Sequence, residues 1–121
     1  MRILYVEDNS QLRESITCLL QSEQREVVSC VSAEEALALD AQGVFDLVIT
    51  DVTLPGMSGL DFCSSLIAED SERWVVLCTG HQMDDASRPQ GINVRLLSKP
   101  FGIDDLESLV EAAHQDAIQR T

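Results

Sequence analysis

Five polar residues of this sequence stand where short apolar runs stop. Glu7 and Asp8 follow Ile3-Leu4-Tyr5-Val6, and Asp51 follows Leu47-Val48-Ile49-Thr50. Thr79 follows Val75-Val76-Leu77-Cys78, and Lys99 follows Val94-Arg95-Leu96-Leu97-Ser98. An open parallel sheet binds its ligands outside the carboxyl ends of its strands. Such a sheet would gather three carboxylates, a hydroxyl and an ammonium into one pocket. Carboxylates about 5 Å apart repel by roughly 3 kcal/mol per pair at an effective dielectric near 20. A hard divalent cation relieves that repulsion, and Mg²⁺ suits a site of few carboxylates completed by waters and phosphate oxygens. Asp51, ending the central strand, is the expected nucleophile. The metal and Lys99 would offset the charge of an incoming phosphoryl group, which is most of what phosphoryl transfer asks of a protein.

Taken singly, each residue has an ordinary explanation. Acids at 7 and 8 favour the start of a helix, and Asp51 would open the turn at Leu54-Pro55-Gly56. Strand ends often carry a hydroxyl such as that of Thr79, and Lys99 before a proline reads as a solvated loop residue. Their common position at strand ends favours the shared pocket.

The elements that must position these residues follow from periodicity. Strands are expected near 2–6, 26–30, 45–50, 74–78 and 93–97, and helices near 10–22, 33–41, 58–68, 82–88 and 103–119. Five alternations of strand and helix imply a single α/β domain with a parallel sheet covered on both faces. The third and fourth strands are apolar on both faces, as burial under helices requires. Asn9 is placed to cap the first helix, whose stripe is Leu12, Ile16, Leu19 and Leu20. Ser32 with Glu35 has capping-box spacing, and Ser58 with Asp61 is a weaker version before Leu60, Cys63, Leu66 and Ile67. The last helix repeats Ile103, Leu106, Val110, Ala113 and Ala117. The segment near 82–88 offers only Met83 and Ala86 as core residues and is interrupted by Pro89, so a short, mobile helix is expected there.

Bulk composition narrows the function. The 121 residues fit one domain, expected to occupy 1–121. Twenty-one acids against eight bases give a net charge of −13, which disfavours nucleic acid and anionic membranes. Lys99 is the only lysine, so no other can fill its role. The sequence has no apolar run of membrane-spanning length and no signal-peptide pattern at its start. Cys18, Cys30, Cys63 and Cys78 fit no metal or redox spacing and read as small core residues in a reducing, cytoplasmic setting.

Glu7-Asp8, the run Asp51-Val52-Thr53-Leu54-Pro55-Gly56-Met57-Ser58-Gly59, Thr79-Gly80 and Lys99-Pro100-Phe101 together resemble the receiver domain of bacterial response regulators, from the first strand to the last helix. The resemblance implies a flavodoxin-like sheet of order 2-1-3-4-5 with five helices and a cycle of phosphorylation. Asp51 would accept a phosphoryl group from the histidine of a sensor kinase or phosphotransfer protein. Asp8, Asp51 and the carbonyl of Thr53 would hold Mg²⁺, with Glu7 acting mostly through a bound water. Thr79 would bond the phosphoryl oxygen, Lys99 would pair with it, and the Lys99–Pro100 peptide would be cis. The face of the fourth helix, fifth strand and fifth helix would then be read by an output domain or effector, or by a second copy after phosphorylation. Such a domain catalyses only its own phosphoryl transfer and dephosphorylation.

Two positions depart from the family's pattern. Leu96 stands three residues before the lysine, where most members carry Tyr or Phe; leucine can repack there but offers no phenol to a partner. Thr53 and His81 occupy the positions two residues beyond the aspartate and the threonine, where the family tunes the lifetime of the acyl phosphate; His81 reads first as an exposed loop residue, and the competing hypothesis is that it reaches the phosphorylation site and modulates hydrolysis. Three other functions compete. An aspartate-nucleophile phosphatase wants a second acid at position 53 and a cap domain. A flavin carrier of this topology needs a phosphate loop after the first strand, where Glu7-Asp8 would repel it. A degenerate interaction module is disfavoured by the complete acidic set.

Overall fold

The computed structural model describes residues 1–80 and 89–120. In chain order it contains β1 (Arg2–Val6), α1 (Ser10–Leu20), β2 (Glu26–Cys30), α2 (Ala33–Gln42), β3 (Leu47–Asp51), α3 (Gly59–Glu69), β4 (Val75–Thr79), β5 (Val94–Ser98) and α4 (Ile103–Arg120). All strand pairs are parallel, and the sheet runs β2-β1-β3-β4-β5. This is the strand order that the resemblance implied. The helix expected near 82–88, with Met83, Ala86 and the neighbouring His81, lies outside the described residues.

Strand side chains alternate between two cores. On one face Leu4, Val6, Val48, Val75 and Leu77 pack with Phe62 and Leu66 of α3 and with Ala33 and Ala36 of α2. On the other, Ile3, Tyr5, Leu47, Ile49 and Val76 pack with Ile16 and Leu20 of α1 and with Leu106, Val110 and Ala113 of α4. Burial of β3 and β4 on both sides leaves only their ends for polar chemistry. Those ends sit one residue later than the apolar runs alone implied. Asp51 pairs with Cys78 and Thr79 with Ser98, because ladder hydrogen bonding carries the strand through its terminal polar residue.

The caps form as expected. Asn9, Ser32 and Ser58 side chains accept from the amides of Leu12, Glu35 and Asp61 at 3.0, 3.2 and 3.1 Å. Each satisfies a donor that the first turn of its helix leaves without an internal partner.

Three expectations about packing need correction. Leu19 is 57% exposed, because α1 turns Ile16 and Leu20 inward and each residue advances about 100° around the axis. Cys18 is exposed for the same reason, and so is no core residue. Phe62, absent from the stripe expected in α3, is the largest fully buried side chain described. Cys30, Cys63 and Cys78 are buried, and desolvation raises their thiols to about 11, 11 and 12. At the other end of the sheet, Trp74 is buried and its indole N–H donates to Asp116 of α4 at 2.8 Å. No helix among the described residues is long and apolar enough to cross a membrane.

Candidate functional site

The carboxyl ends of β1, β3, β4 and β5 meet at one rim of the sheet, and four of the five polar strand-end residues are tied there by carboxylates, ammonium or backbone. Glu7 follows β1 and is only 2% exposed. Its Oε1 accepts from Lys99 Nζ at 3.2 Å, and its Oε2 accepts from the amide of Asn9 at 3.2 Å. The same ammonium donates to Asp51 Oδ2 at 3.0 Å. Glu7, Asp8 and Asp51 each bring one carboxylate oxygen within 4.8 Å of the other two. Asp8 is the exposed member of this group, so the cluster opens toward solvent.

Electrostatics follow from this placement. Burial pushes the Glu7 carboxyl above its ordinary value, opposed by the Asn9 amide and by Lys99. For Lys99, burial alone favours the neutral amine. Hydrogen bonds to Asp51 and Glu7 outweigh that cost, so the ammonium is held above its ordinary value. One ammonium thus faces three carboxylates, leaving excess negative charge at a rim that a small cation can reach. A hard cation with oxygen ligands fits this donor set, because all three ligands are carboxylates and one is already desolvated.

Thr79 is buried to 6% exposure at the end of β4. Its carbonyl accepts from the amide of Lys99 at 2.7 Å, which ties the two strand ends together. The Lys99–Pro100 peptide is cis. Thr53 is exposed in the loop from Asp51 to α3, two residues beyond the aspartate. Leu96 lies on the opposite sheet face from Leu97, partly buried against the α2–α3 core.

Several residues that shape the rim were not singled out by the sequence. Arg13 of α1 donates from Nη1 to the carbonyl of Glu7 at 2.8 Å and so holds the turn after β1. Gly59 opens α3 with its Cα against the Asp51 carbonyl, and a Cβ there would collide with that oxygen. Its amide donates to Val52 at 2.9 Å, while the Val52 amide donates to Cys78 at 2.9 Å. Glu34 of α2 accepts from the Met57 amide at 3.1 Å. A glycine directly after a helix cap is a usable sequence signal for close approach. The contacts of Arg13 and Glu34 depend on tertiary placement and leave no comparable signal.

The family profile described as the response regulator receiver domain matches residues 3–111. Nodulation protein W of Bradyrhizobium diazoefficiens is 35% identical over 121 residues, covering 98% of this chain and 53% of its own length. The cell cycle response regulator CtrA of Brucella ovis is 29% identical over 114 residues, covering 93% of this chain and 49% of its own. The chain spans about half the length of the curated relatives it matches. Among solved structures, response regulator TrrA of Thermotoga maritima with Mg²⁺-BeF superimposes at a TM-score of 0.78. That match has 28% identity and covers 93% of this chain and 97% of TrrA. TrrA in complex with histidine kinase ThkA gives a TM-score of 0.80 at 30% identity, covering 93% and 97% of the two chains. The matched range takes in residues of all five strands together with Glu7, Asp8, Asp51, Thr79 and Lys99, and this chain belongs to the response regulator receiver domain family.

Proposed function

We propose that this domain is a phospho-accepting switch in which Asp51 receives a phosphoryl group from the histidine of a partner kinase or phosphotransfer protein. The observation that carries the proposal is the bridging ammonium: Lys99 Nζ lies 3.0 Å from Asp51 and 3.2 Å from Glu7, beside three converging carboxylates. In the transfer, a carboxylate oxygen of Asp51 forms the new P–O bond. The P–N bond to the donor histidine breaks, and its electron pair stays on the imidazole nitrogen. Lys99, freed from one carboxylate charge, remains to pair with a phosphoryl oxygen. Thr79 offers its hydroxyl to a second oxygen.

Asp8, Asp51 and the Thr53 carbonyl are the proposed Mg²⁺ ligands, with Glu7 acting mostly through a bound water. When bound, Mg²⁺ would neutralise phosphoryl oxygens and the carboxylates around them. The solved TrrA complexes, one with Mg²⁺-BeF and one with a histidine kinase, support both the metal and the kind of donor. Thr53 in place of a second acid speaks against a phosphatase.

Converting Asp51 to an acyl phosphate adds charge and acceptor oxygens where Thr79 and Lys99 wait. Shifting a population from 1:99 to 99:1 needs about 5.5 kcal/mol of differential interaction, a sum within reach of a few charge-assisted bonds. The readers would be an output domain or effector at the face that includes β5 and α4, or a second phosphorylated copy, in the cytoplasm. The domain would catalyse only its own transfer and dephosphorylation, with His81 tuning the latter. Incubation with acetyl phosphate and Mg²⁺, followed by intact mass, tests the reading. One added phosphoryl group in wild type and none in Asp51→Asn is expected; an unmodified wild type under saturating metal rejects it.

A further inference from the structure

We infer that Glu34, on α2 and outside the acidic cluster, is a positioning residue for the loop that follows Asp51. The inference rests on the receiver reading above and extends it to how the metal site is held in shape. The loop between Asp51 and α3 is attached at several points along its length. Val52 is held through its backbone on both sides, by Cys78 and by Gly59. Leu54 is buried in the core shared with α2 and α3. The Ser58 side chain caps α3. In the stretch Pro55-Gly56-Met57 the Met57 side chain packs against that same core, and its amide donates to Glu34 Oε2 at 3.1 Å.

Gly56 shows why that carboxylate fits there. Its φ is +75°, a left-handed conformation that L side chains rarely adopt. A Cβ at this position would collide with the Glu34 carboxylate. Glycine therefore opens the hollow in which the acid sits. Glu34 itself is fixed on the first turn of α2, two residues after the Ser32 cap, where a negative charge is favoured by the helix end. Thr53 lies between the Val52 attachment and this one. The carbonyl proposed as a metal ligand thus sits between the tied Val52 and the buried Leu54, and the Glu34 bond fixes the turn that follows them.

Glu34 is exposed, so its charge is screened and its contribution to global stability is small. Its effect should fall instead on metal affinity, which depends on the orientation of ligands by the residues behind them. A Mg²⁺ titration of the full chain, with the metal alone as probe, tests this. Glu34→Ala is expected to raise the dissociation constant about tenfold, the low end of what losing such support costs. Phosphorylation by acetyl phosphate at saturating Mg²⁺ should keep its wild-type rate. Glu34→Gln retains an oxygen acceptor for the Met57 amide while removing the charge, and should restore affinity to within about twofold of wild type, a difference under 0.5 kcal/mol.

A Glu34→Ala protein with wild-type affinity overturns the inference. A Glu34→Gln protein as weak as Glu34→Ala overturns it too, since the charge and not the bond would then matter. Wild type that binds no Mg²⁺ at all would instead defeat the receiver reading itself, an outcome visible before any variant is made.

Discussion

Lys99 and Asp51, 48 residues apart in sequence, are joined by a 3.0 Å contact between Nζ and Oδ2 at neighbouring edges of one pocket. In this arrangement the ammonium occupies part of the electrostatic role that a divalent cation would share. A bound divalent cation would therefore compete with Lys99 for the same carboxylates while both would attract a phosphoryl group. That dual relation fixes the sign of several expected outcomes.

Lys99→Met should tighten Mg²⁺ binding while slowing phosphorylation of Asp51. Removing a competing positive charge at the rim is worth about 1 kcal/mol after solvent screening, or roughly fivefold in affinity. Metal-free protein should become less stable, because Asp51 and Glu7 both lose a partner. The sign with pH follows from the raised lysine: wild type keeps this contribution below 10.5 and loses it as pH climbs through the folded-state value. Calorimetric titration and alkaline thermal melts of both proteins check these points, and weaker Mg²⁺ binding in the variant would count against the competition.

Glu7→Gln should stabilise the metal-free fold at neutral pH. Glu7 is raised chiefly by desolvation, so the folded state holds its proton more tightly than the unfolded chain does. Its ionisation therefore costs stability above about 4.5, and the cost vanishes as pH falls below that value. A higher melting temperature than wild type is expected near pH 7. The gain should shrink to nothing on acidification. Thermal melts without metal across pH 4–8 would show it, and the same variant should bind Mg²⁺ more weakly.

Gly59→Ala should cost about 2–4 kcal/mol, since the new methyl has the Asp51 backbone in its path and every atom it meets there is main chain. The damage should reach the site as well as the fold. Folded Gly59→Ala protein is expected to take up phosphoryl from acetyl phosphate far more slowly than wild type. Urea denaturation and intact mass measure the two effects separately.

Trp74→Phe supplies the contrast. It removes the indole donor to Asp116 and weakens the stacking of Arg95, whose guanidinium carbon lies 4.9 Å from the Trp74 ring centre. A loss of about 1–2 kcal/mol is expected. Mg²⁺ affinity should not move, because Trp74 precedes the amino end of β4 and the site lies beyond its carboxyl end. Denaturation paired with a metal titration tests the separation.

What the sequence revealed, it revealed through period and punctuation. Runs ending in Asp51, Thr79 and Lys99 located the rim, and Asn9, Ser32 and Ser58 located three helix starts, because both signals are local. Leu19 and Cys18 misled, since an apolar residue beside a buried stripe looks the same whether its helix turns it in or out. Phe62 was passed over between Leu60 and Cys63, although its ring fills the middle of the α3 face. The Arg13 and Glu34 contacts were illegible for another reason. Each joins a helix side chain to the backbone of a loop, and no spacing within one segment encodes that meeting.

The 2.7 Å bond from the Lys99 amide to the Thr79 carbonyl also limits how this domain can respond. With its carbonyl bonded to the end of the neighbouring strand, the Thr79 main chain cannot shift without drawing Lys99 along with it. A charge placed beside either residue would therefore be felt by the ends of β4 and β5 as a single unit.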